Sequence, residues 1–454
     1  MRGLKSTLLL VAILAGLGGY IYFVEAKRPA GGFGASGSSE TKEKVFAVEA
    51  DKIEEIRVTA DKQPTVLKKV NGNWRIEEPA PADADQSEAS GLTTNLAGLE
   101  LTRVVEENPT DLSQYGLADP RVKVAFKAQG GAAGEIAIGE KTATGSDLYA
   151  AKSGDKRVFL IASYVESTFN KKPFDLRDKR ILNVKRDDID LLDITGATDL
   201  QLARSGTDWN VKRPMQARGD YSAVEGLLTR LSSASMTKMV EQAPSGGALA
   251  PDVLAKYGLD KPSLTITIGA GSSRATVAIG KEENGEVYAR DVARPMVFTV
   301  DPTLATDLKK PADEYRNKNL FEFRSFSVSR LRIVRGSDTY EFQKVAASGA
   351  NQSDKWQRVG SGGAATDVDA VKMDDLVSKL SNLRIESFVA SAPAQSELVV
   401  SASHDQGKFE RVRFGKSGSD TIATRDGEPG AGKVDANNYG EVLKALDAVV
   451  KPAT

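Results

Sequence analysis

The feature that most constrains this chain is that it repeats itself. Trp74 returns as Trp209, and the leucines Leu92 and Leu96 return as Leu227 and Leu231. Tyr115-Gly116-Leu117 returns as Tyr257-Gly258-Leu259, Ile138-Gly139 as Ile279-Gly280, Tyr149-Ala150 as Tyr288-Ala289, and Val158-Phe159 as Val297-Phe298. Arg177 and Lys179 return as Arg316 and Lys318. All keep their order at a spacing of roughly 140 residues, which chance matches would not do. A more diverged third copy carries Trp356, Leu380, Gly415 and Val434-Asp435 but lacks Tyr-Gly-Leu. The expected modules are therefore 45–182, 183–323 and 324–454. A chain of 454 residues has room for about three domains of roughly 150 residues, each large enough to bury a core without staples.

Each copy predicts the same order of elements. A first strand is expected over Ile53–Thr59, Leu191–Thr195 and Leu331–Val334, followed by a hairpin whose second strand carries the tryptophan. Asn71-Gly72 is a turn signal for the first of these hairpins. A helix follows, opened by Asp85, Asp220, and Asp367 or Asp369, because a carboxylate there accepts free N–H groups. A short helical turn then closes on Tyr-Gly-Leu-x-x-Pro, where glycine takes the left-handed cap and proline stops continuation. Alternating segments such as Val122/Val124/Phe126 and Leu264/Ile266/Ile268 predict strands with one buried face. The expected class is α+β: an N-terminal transmembrane helix, then three repeated modules of mostly antiparallel sheet with packed helices.

The leading residues read as a membrane anchor over 1–26 and a flexible linker over 27–44. Arg2 and Lys5 precede an apolar run from Leu8 to Val24, which as a helix spans about 26 Å, the short end of a bilayer core. The run is longer than the usual signal-peptide core, although Val24 and Ala26 leave cleavage open. Tyr20 and Tyr22 suit an interfacial position. Because everything that can fold lies after this run, the expectation is a single pass through the cytoplasmic membrane, with the N-terminus inside and the modules extracytoplasmic. Residues 29–39 are rich in glycine and serine, the composition of a tether.

Chemistry-bearing constellations are sparse. The chain has no cysteine, which excludes disulfides, thiolate catalysis, zinc–cysteine sites and a diacylated lipoprotein start. A net charge of −1, with no basic run, argues against nucleic acid as a partner. His404 is the single histidine. It lies in His404-Asp405-Gln406-Gly407, which reads as a solvated hairpin turn, and it has no second histidine for a metal pair or a hydrolytic triad. Asp187-Asp188 and Asp374-Asp375 are adjacent acids, which a helix would point about 100° apart, so they read as solvated faces. Ile136–Gly139 and Val277–Gly280 lack the ending of a phosphate loop and read as strand ends. The tryptophans read as core anchors. No catalytic, cofactor or metal residue is assigned. The polar repeats Arg177, Lys179, Arg316 and Lys318 have two readings, ion pairs within or between modules and candidate contacts for a partner protein or lipid headgroup.

The anchor, Tyr115–Pro120, the Ile138-Gly139 strand and Leu148-Tyr149-Ala150 together resemble the bacterial family known as domain of unknown function 4340, most clearly over about 45–300. The resemblance implies single-pass envelope proteins that accompany ABC-type export systems related to gliding-motility transporters. It carries no functional residue. The expected function is thus a non-enzymatic, membrane-tethered interaction or scaffold protein with protein partners in the envelope. The alternatives are an envelope enzyme acting on carbohydrate or peptidoglycan, and a binder of glycans or small ligands between modules.

Overall fold

A computed structural model describes residues 43–451 apart from 245–246, 347–353, 361–362 and 406. The expected membrane anchor lies outside the described residues. Among those described, no helix is long and apolar enough to cross a membrane. The chain divides into two compact units, Met1–Asp178 and Lys179–Thr454. The first holds one nine-stranded sheet and the second holds two.

The three sheets share one topology. Counting strands from one to nine within a module, their order across the sheet is 4-3-2-1-6-7-8-9-5 in every copy. Each neighbouring pair runs antiparallel, beginning with the first strands Ile53–Ala60, Leu191–Gly196 and Val328–Arg335 beside strands two and six. The alternation in the sequence is the cause. In Val122–Ala128 every second residue is buried, so one face of the strand packs and the other is open. Asn71 and Gly72 both take positive φ, at 50° and 83°, the turn geometry that matches the twist of a tight hairpin.

Against the packed face each module lays a long helix, Gln86–Gly98, Tyr221–Ser233 and Ala370–Ser381, and the third adds Ala436–Val450. Asp85, Asp220 and Asp369 cap them by accepting first-turn backbone N–H groups. Of the two aspartates expected in the third copy, Asp369 is the cap. The buried stripes are Ala89/Leu92/Thr93/Leu96, Val224/Leu227/Leu228/Leu231 and Met373/Leu376/Val377/Leu380. Burying each leucine contributes roughly 1.5–3 kcal/mol. Trp74, Trp209 and Trp356 are 4%, 2% and 2% exposed, so the tryptophans are core anchors.

The Ile-Gly pairs are not strand ends. Gly139 and Gly280 sit inside the long strands Ala133–Lys141 and Ser273–Glu283, at a register shift. A Cβ on Gly139 would come within 2.1 Å of the Tyr115 carbonyl oxygen, and one on Gly280 within 2.2 Å of that of Tyr257. The Tyr-Gly-Leu turn therefore rests directly on the glycine. Gly116 and Gly258, both at φ 67°, supply its left-handed cap. The Tyr115 and Tyr149 rings lie 5.1 Å apart and the Tyr257 and Tyr288 rings 4.8 Å apart, which ties the Tyr-Ala repeat to the same contact. The third copy keeps the contact with other residues: a Cβ on Gly415 would meet the Gln395 carbonyl oxygen at 2.1 Å.

Candidate docking surfaces of the modules

The connecting segments place the repeated arginines and lysines. In the first unit, Ala84 bridges Arg177 antiparallel. The Asp85 N–H donates to the Leu176 carbonyl at 2.8 Å, and the Asp178 N–H to that of Asp83 at 2.9 Å. In the second unit the same pattern recurs between Gly219 and Arg316. There Asp220 N–H donates to Tyr315 and Asn317 N–H to Arg218, both at 2.8 Å. Each arginine thus closes the outer edge of strand four of its own module. Two residues on, the Lys179 and Lys318 carbonyls accept from the Met236 and Ile385 N–H groups, each at 2.7 Å, and so begin the following module. Arg177 and Arg316 are 5% and 4% exposed; Lys179 and Lys318 are half-buried.

Arg316 is engaged inside the second unit. It donates to Asp313 at 3.1 Å and to the Pro429 carbonyl at 2.9 Å, and its guanidinium lies 3.6 Å from the centre of the Phe388 ring. That is an intermodule contact, joining the second module to the third. Beside it Arg218 donates to Glu322 at 2.9 Å, to the Asn319 carbonyl at 2.7 Å and to Glu428. Burial works to raise the Glu322 pKa, but the hydrogen bond and charge of Arg218, with the charge of Arg425, hold it below the usual carboxylate value.

A second repeated device was not visible in the sequence. In each module a cation near strands eight and nine donates to the carbonyl of the entry residue. These contacts are Lys152 to Val45 at 2.8 Å, Arg294 to Ile181 at 3.0 Å and Arg425 to Leu320 at 3.2 Å. Lysine and arginine at shifting offsets leave no motif.

His404 corrects the expectation of a solvated turn residue. It ends strand six of the third module, Leu398–His404, and is 1% exposed. Its Nδ1 lies 3.0 Å from Asp405, its Nε2 lies 3.5 Å from Glu410, and Phe323 flanks the ring. Glu410, also buried, accepts from the Glu322 backbone N–H at 3.0 and 3.1 Å and from Arg425 at 3.1 Å. The histidine is hidden because Phe323 of the entry segment lies against its ring, with Phe321 packed on Phe323.

Above this network, between the second and third modules, lies a cleft of about 710 Å³. Trp209, Arg218, Arg324, Lys408, Asp208 and Asp405 line it, and Tyr221 and Phe326 stand at it 55% and 69% exposed. Aromatic rings mixed with arginine are the composition enriched at protein interfaces. Among the described residues no group of three or more His, Asp or Glu is placed to hold a metal ion.

The family model described as "Domain of unknown function (DUF4340)" matches residues 74–212 and again 209–401. The chain belongs to this family. The two DUF4340 matches open at the hairpin tryptophans Trp74 and Trp209, and the first runs just past the second of these. No curated protein matches the chain. Among solved structures, the crystal structure of the DNA polymerase sliding clamp from Pseudomonas aeruginosa with ligand is similar at 9% identity, with 85% of this chain and 92% of that chain covered. Its TM-score of 0.14 is too low to carry an argument.

Proposed function

We propose that this DUF4340 protein is an extracytoplasmic interaction protein, tethered to the cytoplasmic membrane by its apolar leading segment and serving as an accessory of an ABC-type export complex. The observation that carries the reading is the cleft of the second unit, where exposed Tyr221 and Phe326 flank arginine, lysine and aspartate. Exposed aromatic side chains of this size are anchors that a protein partner desolvates. The buried ionisable groups beside the cleft are committed to structure: Glu410 is held by Arg425 and a backbone N–H, and Arg316 by its seam contacts. Within the second unit, Arg218 and Arg316 bridge the two sheets that support this surface.

The test is photo-crosslinking in intact cells with a benzophenone residue at Tyr221 or Phe326, followed by purification from solubilised envelopes. Transporter subunits crosslinked to these positions are the expected result. Recovery of this chain alone, or of crosslinks to saccharide only, overturns the reading.

A further inference from the structure

Among the described residues, the edge of strand four is closed in two modules and open in the third. The third module builds it in the same register: Gln357 pairs Asp367 as Arg75 pairs Asp83 and Asn210 pairs Arg218. Val368 N–H donates to the Trp356 carbonyl at 2.9 Å, as Gly219 N–H does to that of Trp209 at 2.8 Å. Asp369 caps the following helix as Asp85 and Asp220 do. In the first two modules the chain then returns, and Leu176-Arg177-Asp178 or Tyr315-Arg316-Asn317 lies antiparallel along this edge. In the third, the stretch that would return is instead the helix Ala436–Val450. Among the described residues nothing takes the Asp367 carbonyl or the Asp369 N–H, and both residues are exposed.

We infer that this edge is a docking slot for an extended segment of a partner protein, with the chemistry apolar–Arg–Asp/Asn. An exposed edge with unpaired N–H and C=O groups is a template for strand addition. The chain itself shows twice what fits. Asp367-Val368-Asp369 matches Asp83-Ala84-Asp85, the slot that holds Leu176-Arg177-Asp178. Asp367 already meets Gln357 and Lys355 and Asp369 caps the helix, but both are exposed and keep the edge acidic, which favours a basic residue in the middle of the occupant. The connectors Leu176-Arg177-Asp178 and Tyr315-Arg316-Asn317 are already seated in their own modules, and the occupant we infer for the third is a segment of a partner protein.

This inference rests on the reading of the chain as an interaction protein and specifies one mode of contact. The probe is a synthetic peptide with the sequence of Pro173–Ile181, added to the solubilised full chain and followed by amide hydrogen exchange and by crosslinking from the peptide. Slowed exchange at 368–370 and crosslinks to the start of Ala370–Ser381 are expected. N-methylation at the position of Asp178 removes the donor to the Asp367 carbonyl and should weaken binding about tenfold, the equivalent of one hydrogen bond. Asp369→Pro, at a φ of −56° that proline adopts, should remove the other bond while circular dichroism reports an intact helix. Equal binding of the methylated peptide, scattered crosslinks, or binding only after removal of 452–454 overturns the slot. If envelope crosslinking recovers a transporter while the peptide fails, only this docking mode is lost. If the peptide binds but no partner is recovered, the slot stands and the accessory role falls.

Discussion

At the scale of single residues, identical substitutions should have opposite signs depending on what faces them. Gly139→Ala and Gly280→Ala would drive a methyl group into the Tyr115 or Tyr257 carbonyl oxygen, a backbone atom that cannot swing away. Overpacking of this kind costs about 1–3 kcal/mol. Gly91 and Gly226 sit inside the long helices of the first two modules with nothing within 4 Å of an added Cβ. Alanine there should stabilise by about 0.5–1 kcal/mol, because glycine loses more backbone freedom on folding. The three tryptophans fall one to a module, so single-tryptophan variants followed through urea unfolding assign each change to its own sheet. Equal midpoints for Gly139→Ala and Gly91→Ala would refute the packing argument. The glycines and the Tyr-Gly-Leu turns were legible in the sequence as co-repeating motifs. That they touch was not, because spacing along a chain does not report which backbone passes beside which. The burial of His404 was hidden for the same reason: its neighbours in sequence are Asp, Gln and Gly, while in space Phe323 of the entry segment and Glu410 of the next strand lie against it.

At the scale of elements, the aspartate caps explain why Val434-Asp435 of the third copy has a counterpart, Val300-Asp301, in the second. Val300-Asp301 and Val434-Asp435 recur because Asp301 and Asp435 cap the closing helices of the second and third modules, accepting from the Thr303 and Asn438 N–H groups. For the long helix of the second module, Asp220→Ala should cost about 1 kcal/mol, within the usual 0.5–2 for a lost cap. The loss should appear in the signal of Trp209, whose indole N–H donates to Glu225 on that helix at 2.9 Å. Asp220→Asn, which keeps an accepting oxygen, should recover most of it. A full loss with asparagine would mean that charge rather than hydrogen bonding sets the effect. Strand and helix order followed from periodicity and caps in all three copies. The closing helix of the third module, Ala436–Val450, is longer than its counterpart Pro302–Leu308 in the second.

At the scale of the whole molecule, the second unit is two sheets joined by a polar seam, and Arg218 is its hub. It reaches Glu322, Glu428 and the Asn319 carbonyl together, so Arg218→Ala removes one cation and leaves both carboxylates to Arg425, 4.0 and 3.5 Å away. Both sheets keep their own apolar cores, so the variant should unfold at nearly the wild-type midpoint by Trp356. Hydrogen exchange should rise at 319–323 and 427–430. The seam also carries a pH dependence of known sign. Glu322 has a folded pKa below its unfolded value, so the stability it contributes is present above the ordinary glutamate range and is lost as pH falls through the lowered folded value. Acidification from neutral pH toward about 3, across the usual carboxylate range, should therefore loosen the seam before either sheet melts. In Arg218→Ala that Glu322 contribution should shrink, because the hydrogen bond and charge that do most to lower its pKa are absent and only the charges of Arg425 and Lys408 remain. If the acid response at 319–323 is undiminished in Arg218→Ala, then Arg425 and the Glu410 network, not Arg218, hold the two sheets together.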